Sequence, residues 1–127
     1  FKTINDSYGH ASGDHVIVEV GAVIERSVRA GDIVARLGGD EFAILLPEAD
    51  AAAAEAVAQR LVADTRMSVR APGAPDDAVI TLSVGVAVLA ARPGLAPDQV
   101  LEEADRAMYR AKKAGRDGYA LTALSVA

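Results

Sequence analysis

The sequence contains no cysteine and no tryptophan, and only two phenylalanines, three tyrosines and two histidines among 127 residues. Without cysteine, neither disulfides nor thiolate metal sites can form. With aromatics at 4% of the chain, the core has to be built from valine, leucine, isoleucine and alanine. The scarcity of histidine leaves Asp and Glu as the ligand inventory, which suits hard, oxygen-seeking cations such as Mg²⁺ (or Mn²⁺) better than zinc. No apolar run approaches the roughly 20 residues that span a bilayer, and no secretory leader is visible. The expected setting is therefore cytoplasmic, without membrane contact. Positive charge is in deficit, 13 Lys and Arg against 18 Asp and Glu for a net −5. That balance argues against a general nucleic-acid binder, although a nucleotide site needs only a few well-placed cations.

What is present is a chain that is 51% hydrophobic, enough for one core, and its length fits a single domain over residues 1–127. The stretch that organises it is Arg36-Leu37-Gly38-Gly39-Asp40-Glu41-Phe42-Ala43-Ile44. Two apolar runs, 33–37 and 42–46, flank Gly-Gly-Asp-Glu, the pattern of a β-hairpin whose glycines permit a tight turn and close approach to the backbone. Asp40 and Glu41 are adjacent carboxylates at the turn. Such neighbours repel, and become useful beside a divalent cation, where one can ligate metal while the other accepts a proton or orients a hydroxyl.

Turn formers crowd residues 1–14, so this segment is expected to be a loop. Its Asn5, which donates and accepts, and its Asp14, which accepts, suit a purine edge. Residues 14–29 show an apolar stripe at helical spacing, ended near Gly31. There Arg29 and Asp32 form an Arg-x-x-Asp pair, which by itself reads as a helix end with a basic residue near the dipole's negative end. Asp50 is placed to cap a helix over 50–66, with Arg60 off its apolar face. Residues 68–78 read as a loop and 79–89 as a strand in which Gly85 suggests close approach of another element. A helix over 97–114 stops at Gly115, and a last strand covers 119–124. Lys112 and Arg116 complement the dipole at that helix end or clamp a triphosphate.

Residues 38–42 spell the motif that names the GGDEF domains, the diguanylate cyclases, and the sequence resembles that family along essentially its whole length. Residues 1–14 match a Phe-Lys-x-Ile-Asn-Asp-x-x-Gly-His-x-x-Gly-Asp run at every fixed position. Tyr109, Ala111, Lys112, Gly115 and Arg116 match a Tyr-x-Ala-Lys-x-x-Gly-Arg-Asn ending, with Asp117 in place of Asn. The resemblance implies an α+β fold, the ferredoxin-like palm of nucleotide cyclases, with a mainly antiparallel central sheet flanked by helices and its first strand missing or truncated.

The resemblance also implies condensation of two GTP into cyclic di-GMP by a homodimer of such domains. Asp40 and Glu41 would be catalytic, with either acid open as the base, and Asp40 a metal ligand. Asn5, His10, Asp14, Gly39, Lys112 and Arg116 would bind substrate, with His10 alternatively a loop-fixing hydrogen bonder. Arg29, Asp32 and Arg60 would form an inhibitory product site. The family's second metal-binding aspartate falls ahead of Phe1, and the chain reads as an N-terminally truncated piece of a longer protein. The expectation is an active parent and a weak or inactive piece. The alternative reading is a non-catalytic receptor for cyclic di-GMP or GTP.

Overall fold

Val16, Ile17, Val20, Val23 and Ile24 recur at the spacing of one helix face. In the computed structural model they lie on helix α2 (His10–Ser27), all buried. The structure describes residues 2–38, 41–47, 49–75, 78–89 and 96–124. The other elements, in chain order, are α1 (Lys2–Tyr8) ahead of α2, then β1 (Ile33–Gly38), β2 (Glu41–Leu45), α3 (Ala51–Ser68), β3 (Ser83–Leu89), α4 (Pro97–Lys113) and β4 (Gly118–Leu124). They gather into two compact units, Phe1–Pro47 with Ala63–Ile80, and Glu48–Val62 with Thr81–Ala127. Helix α3 gives its first part to the second unit and its last turns to the first.

In the first unit the valine-rich stripe of α2 carries the core. Valine is a weak helix former, so burial rather than propensity holds this helix. Each such side chain stabilises by about 1.5–3 kcal/mol. Thr65, Val69 and Ala71, from the end of α3 and the segment after it, are buried in the same unit. The expected loop over 68–78 is thus anchored at its start, where Arg70 Nη1 also donates to the Arg66 and Val69 carbonyls at the end of α3.

Residues 1–14 depart from the loop expectation. Residues 2–14 form α1 and the first turn of α2, joined at Gly9, whose φ of 91° and ψ of 164° suit glycine alone. Asn, Asp and Ser usually compete with helix by bonding local backbone. Here Ser12 is buried and its hydroxyl donates instead to the Pro72 carbonyl at 2.8 Å. Tertiary packing redirects the polar group that the sequence pattern assigns to a turn.

Strands β1 and β2 pair antiparallel, Ile33 opposite Leu45 and Arg36 opposite Phe42, with a register shift between Arg36 and Gly38. Val34, Phe42 and Ile44 are half-buried, while Ile33, Leu37 and Leu45 are exposed.

In the second unit, Asp50 Oδ1 accepts the Ala53 N–H at 2.8 Å and caps α3 as the sequence predicts. Strands β3 and β4 pair in parallel from Ser83 opposite Gly118 to Leu89 opposite Leu124. Parallel neighbours need a crossover, and α4 provides it. Gly85 is the close-approach point. A Cβ there would sit 2.0 Å from the Ala104 carbonyl oxygen and 2.2 Å from the Met108 nitrogen. The chain is thus α+β, with one antiparallel hairpin and one parallel pair among the described residues. No helix among them is long and apolar enough to cross a membrane.

Candidate functional site

The first unit presents candidate base-binding and catalytic residues. Asn5 is half-buried on α1, and its Oδ1 is buried with no hydrogen-bond partner among the described residues. A buried amide oxygen without a donor carries a desolvation penalty of about 1–3 kcal/mol, which a ligand N–H would relieve. His10 and Asp14 are exposed and four residues apart on α2, so they share one face of the helix. Glu41 is exposed at the head of β2, opposite Gly38. Gly39 and Asp40 lie outside the described residues.

Arg29 and Asp32 close the turn after α2 around Gly31, whose φ is 97°. Asp32 Oδ2 accepts the Arg29 N–H at 2.9 Å, and the Asp32 N–H donates to the Arg29 carbonyl at 3.1 Å. The Asp32 side chain is 5% exposed and that of Arg29 69%, with Nε 3.9 Å from Oδ1. Asp32 is therefore a structural clasp as well as an acceptor, and the guanidinium beside it faces solvent.

The second unit carries the candidate cations. Helix α4 ends in a Schellman motif, the Arg116 N–H donating to the Ala111 carbonyl (3.1 Å) and the Gly115 N–H to that of Lys112 (3.4 Å). Gly115, Arg116 and Asp117 have φ of 118°, 61° and 47° in succession. A left-handed non-glycine residue costs roughly 1–2 kcal/mol, least for Asn and Asp with their short side chains. Asp117 thus keeps the conformational tolerance of the Asn expected there. Lys112 and Arg116 are both exposed at this helix end. Lys113 Nζ stands 5.2 Å from the Tyr109 ring centroid. Arg60, exposed on α3, belongs to this unit, whereas Arg29 and Asp32 belong to the first.

A further polar cluster joins residues remote in the sequence. The Tyr119 hydroxyl donates to Glu55 Oε1 and accepts from Gln59 Nε2 at 3.1 Å. The acceptor carboxylate holds the Tyr119 proton and pushes its pKa up from 10.0. Only the four-residue spacing of Glu55 and Gln59 hinted at it, and nothing in the sequence ties them to a residue some sixty positions away.

Comparison with known proteins gives these positions a frame. The sequence profile of the diguanylate cyclase GGDEF domain matches residues 1–118. The chain belongs to the GGDEF domain family. This GGDEF domain is 38% identical over 118 residues to the probable diguanylate cyclase DgcT of Escherichia coli, covering 92% of the chain and 26% of that protein. It is 39% identical over 128 residues to the diguanylate cyclase TpbB of Pseudomonas aeruginosa, covering 98% of the chain and 28% of that protein. It thus spans less than a third of either relative. Among solved structures, the coiled coil and GGDEF domain of DgcB from Caulobacter crescentus, in complex with c-di-GMP, aligns with a TM-score of 0.82 at 31% identity. That alignment covers 97% of this chain and 63% of that one. The palm-type α+β architecture of the GGDEF domain follows.

Among the described residues no three His, Asp or Glu side chains gather to hold a metal ion. Mg²⁺ seldom needs such a cage, since it keeps waters and takes substrate phosphates beside one or two carboxylates. The exposed Glu41 carboxylate on a paired strand fits that all-oxygen chemistry.

Proposed function

We propose that this GGDEF domain is a diguanylate cyclase, condensing two GTP into cyclic di-GMP with release of pyrophosphate. The observation that carries the reading is the Gly-Gly-Asp-Glu-Phe motif of the sequence, in which Gly38 ends one paired strand opposite Glu41, exposed at the start of the other. The Asn5 Oδ1, buried without a partner among the described residues, takes a guanine N–H, and Asp14 a second one, with His10 at the substrate edge. Gly39 lets the phosphates approach the backbone. Lys112 and Arg116 offset triphosphate charge.

Asp40 would hold Mg²⁺, and Asp40 or Glu41 would take or orient the proton of the ribose 3′-hydroxyl. Bound Mg²⁺ supplies neutralisation of the phosphate charge. The 3′-oxygen of one GTP attacks the α-phosphate of the GTP held by a second copy of the domain, the bond to pyrophosphate breaks, and a second such step closes the ring. Ring closure requires the homodimer, in the cytoplasm where GTP is available. The product binds at Arg29, Asp32 and Arg60, a role that the solvent-facing Arg29 guanidinium supports.

The test is GTP and Mg²⁺ with this chain and with one extended upstream, following cyclic di-GMP and pyrophosphate. Synthesis that Glu41→Gln abolishes, with cyclic di-GMP binding intact, supports the cyclase. Binding of cyclic di-GMP without synthesis by either chain supports the receptor reading instead, which the preformed Arg29–Asp32 clasp favours.

A further inference from the structure

Within the second unit, the Tyr119 hydroxyl joins two elements that are distant in sequence. It donates to Glu55 and accepts from Gln59, both on α3. These residues are four apart, so they stand one turn above the other on one face. Arg60 follows Gln59 immediately and projects from the adjoining face. The apolar side chains buried on this part of α3 are Ala54, Ala58 and Leu61. Small apolar contacts set how closely a helix packs but are non-directional, so they tolerate rotation and axial slip. A hydroxyl held between a carboxylate and an amide is directional, and the carboxylate makes one of its bonds charge-assisted. A turn of slip or a rotation by one residue would break both bonds.

We infer that Tyr119 is a positioning residue for Arg60. Through Glu55 and Gln59 it fixes the rotation and register of α3 against β4, and so aims the guanidinium that grips a phosphate of the cyclic dinucleotide. Bidentate guanidinium–phosphate recognition depends on that aim. The inference rests on the proposed product site. It adds a residue that touches no ligand but sets how much of the population is competent to bind.

Calorimetric titration of the whole chain with cyclic di-GMP tests it. Arg60→Ala should weaken binding strongly. Tyr119→Phe, which keeps the ring and removes the hydroxyl, should raise Kd about threefold to tenfold. The same variant should leave the affinity for a non-hydrolysable GTP analogue with Mg²⁺ within twofold. Glu55→Ala, an exchange to a better helix former that keeps the variant folded, should match Tyr119→Phe, and the double variant should be no weaker than either single one. Glu55→Gln, which retains an acceptor, should restore most of the affinity. A lowered Tm in Tyr119→Phe with Kd unchanged would reduce the cluster to a structural pin and overturn the inference, as would an Arg60→Ala variant that binds normally. Failure of the unaltered chain to bind cyclic di-GMP is a separate result: it removes the product-site reading first and this inference with it.

Discussion

Replacing Gly85 by alanine tests the packing of the second unit most directly. Gly85 has an ordinary strand conformation, so an alanine there carries no backbone strain and even removes some unfolded-state entropy, a gain of about 0.4–1 kcal/mol. Against this stands a collision. The new Cβ would lie 2.0 Å from the Ala104 oxygen, 2.2 Å from the Met108 nitrogen and 2.8 Å from the Met108 Cα. All three are main-chain atoms of α4, so no rotamer change relieves the overlap. Helix and strand must part by roughly an ångström, loosening contacts around the buried Ala107 and Ala111. Overpacking costs typically about 1–3 kcal/mol where side chains can adjust. Here about 3 kcal/mol or more is expected, a large share of a stability of about 5–15 kcal/mol.

For a chain of this size that loss lowers Tm by roughly 10 °C. Thermal and urea denaturation followed by circular dichroism would read it. Gly118→Ala is the control, because its Cβ would meet only the Arg116 oxygen at an ordinary 3.5 Å, and it should change stability by no more than about 0.5 kcal/mol. Ala104→Gly should not rescue Gly85→Ala, since the obstacle is the carbonyl and not the methyl. If Gly85→Ala melts alongside Gly118→Ala, the close packing of β3 on α4 is wrong.

Three further outcomes are expected. Gly9→Ala has free space around its Cβ but a φ of 91°, so it should destabilise by about 1–3 kcal/mol through backbone strain alone, read as a lower urea midpoint at unchanged m-value. Thr65→Val should stabilise by roughly 1 kcal/mol, because Thr65 is 0% exposed and its hydroxyl has no partner among the described residues; a loss in chemical denaturation would show that the hydroxyl is bonded. Tyr119 has its pKa raised by the Glu55 bond, so the folded state holds that proton more tightly than the unfolded chain. The resulting stability is complete below pH 10 and lost as pH climbs through the raised value. The Tm gap between the unaltered chain and Tyr119→Phe should therefore be flat up to about pH 9 and narrow above pH 10, and a gap that widens there would contradict the assignment.

Much of the framework around the candidate site could be read from residue order because its parts are local. The hairpin follows from two apolar runs around Gly-Gly, the α3 cap from Asp50, and the end of α4 from Gly115. Family membership follows from motifs contiguous in the chain. What misled was the segment over residues 1–14. Its turn-forming composition is real, but Ser12 bonds Pro72, a partner sixty residues away that no local pattern reveals. The strand expected over 79–89 begins only at Ser83, where pairing to β4 starts. The preceding Val79, Ile80 and Thr81 have the β propensity of a strand, and Leu82 only lends its carbonyl to the Gly118 N–H (3.1 Å); without a strand partner among the described residues, propensity forms no strand there.

The sequence by itself determined the chemistry on offer: all-oxygen ligands, adjacent carboxylates at a glycine turn, a few cations in an acidic chain, and helices marked by the period of their valines and alanines. Each of these depends on side-chain type or on neighbours within a few residues. Tertiary structure alone decided that the Asn5 oxygen is buried without a donor among the described residues, that Ser12 bonds Pro72, and that Tyr119 is shared between Glu55 and Gln59. Burial and directional bonds between remote residues exist only once the chain has closed on itself, because they depend on distances that sequence separation does not encode.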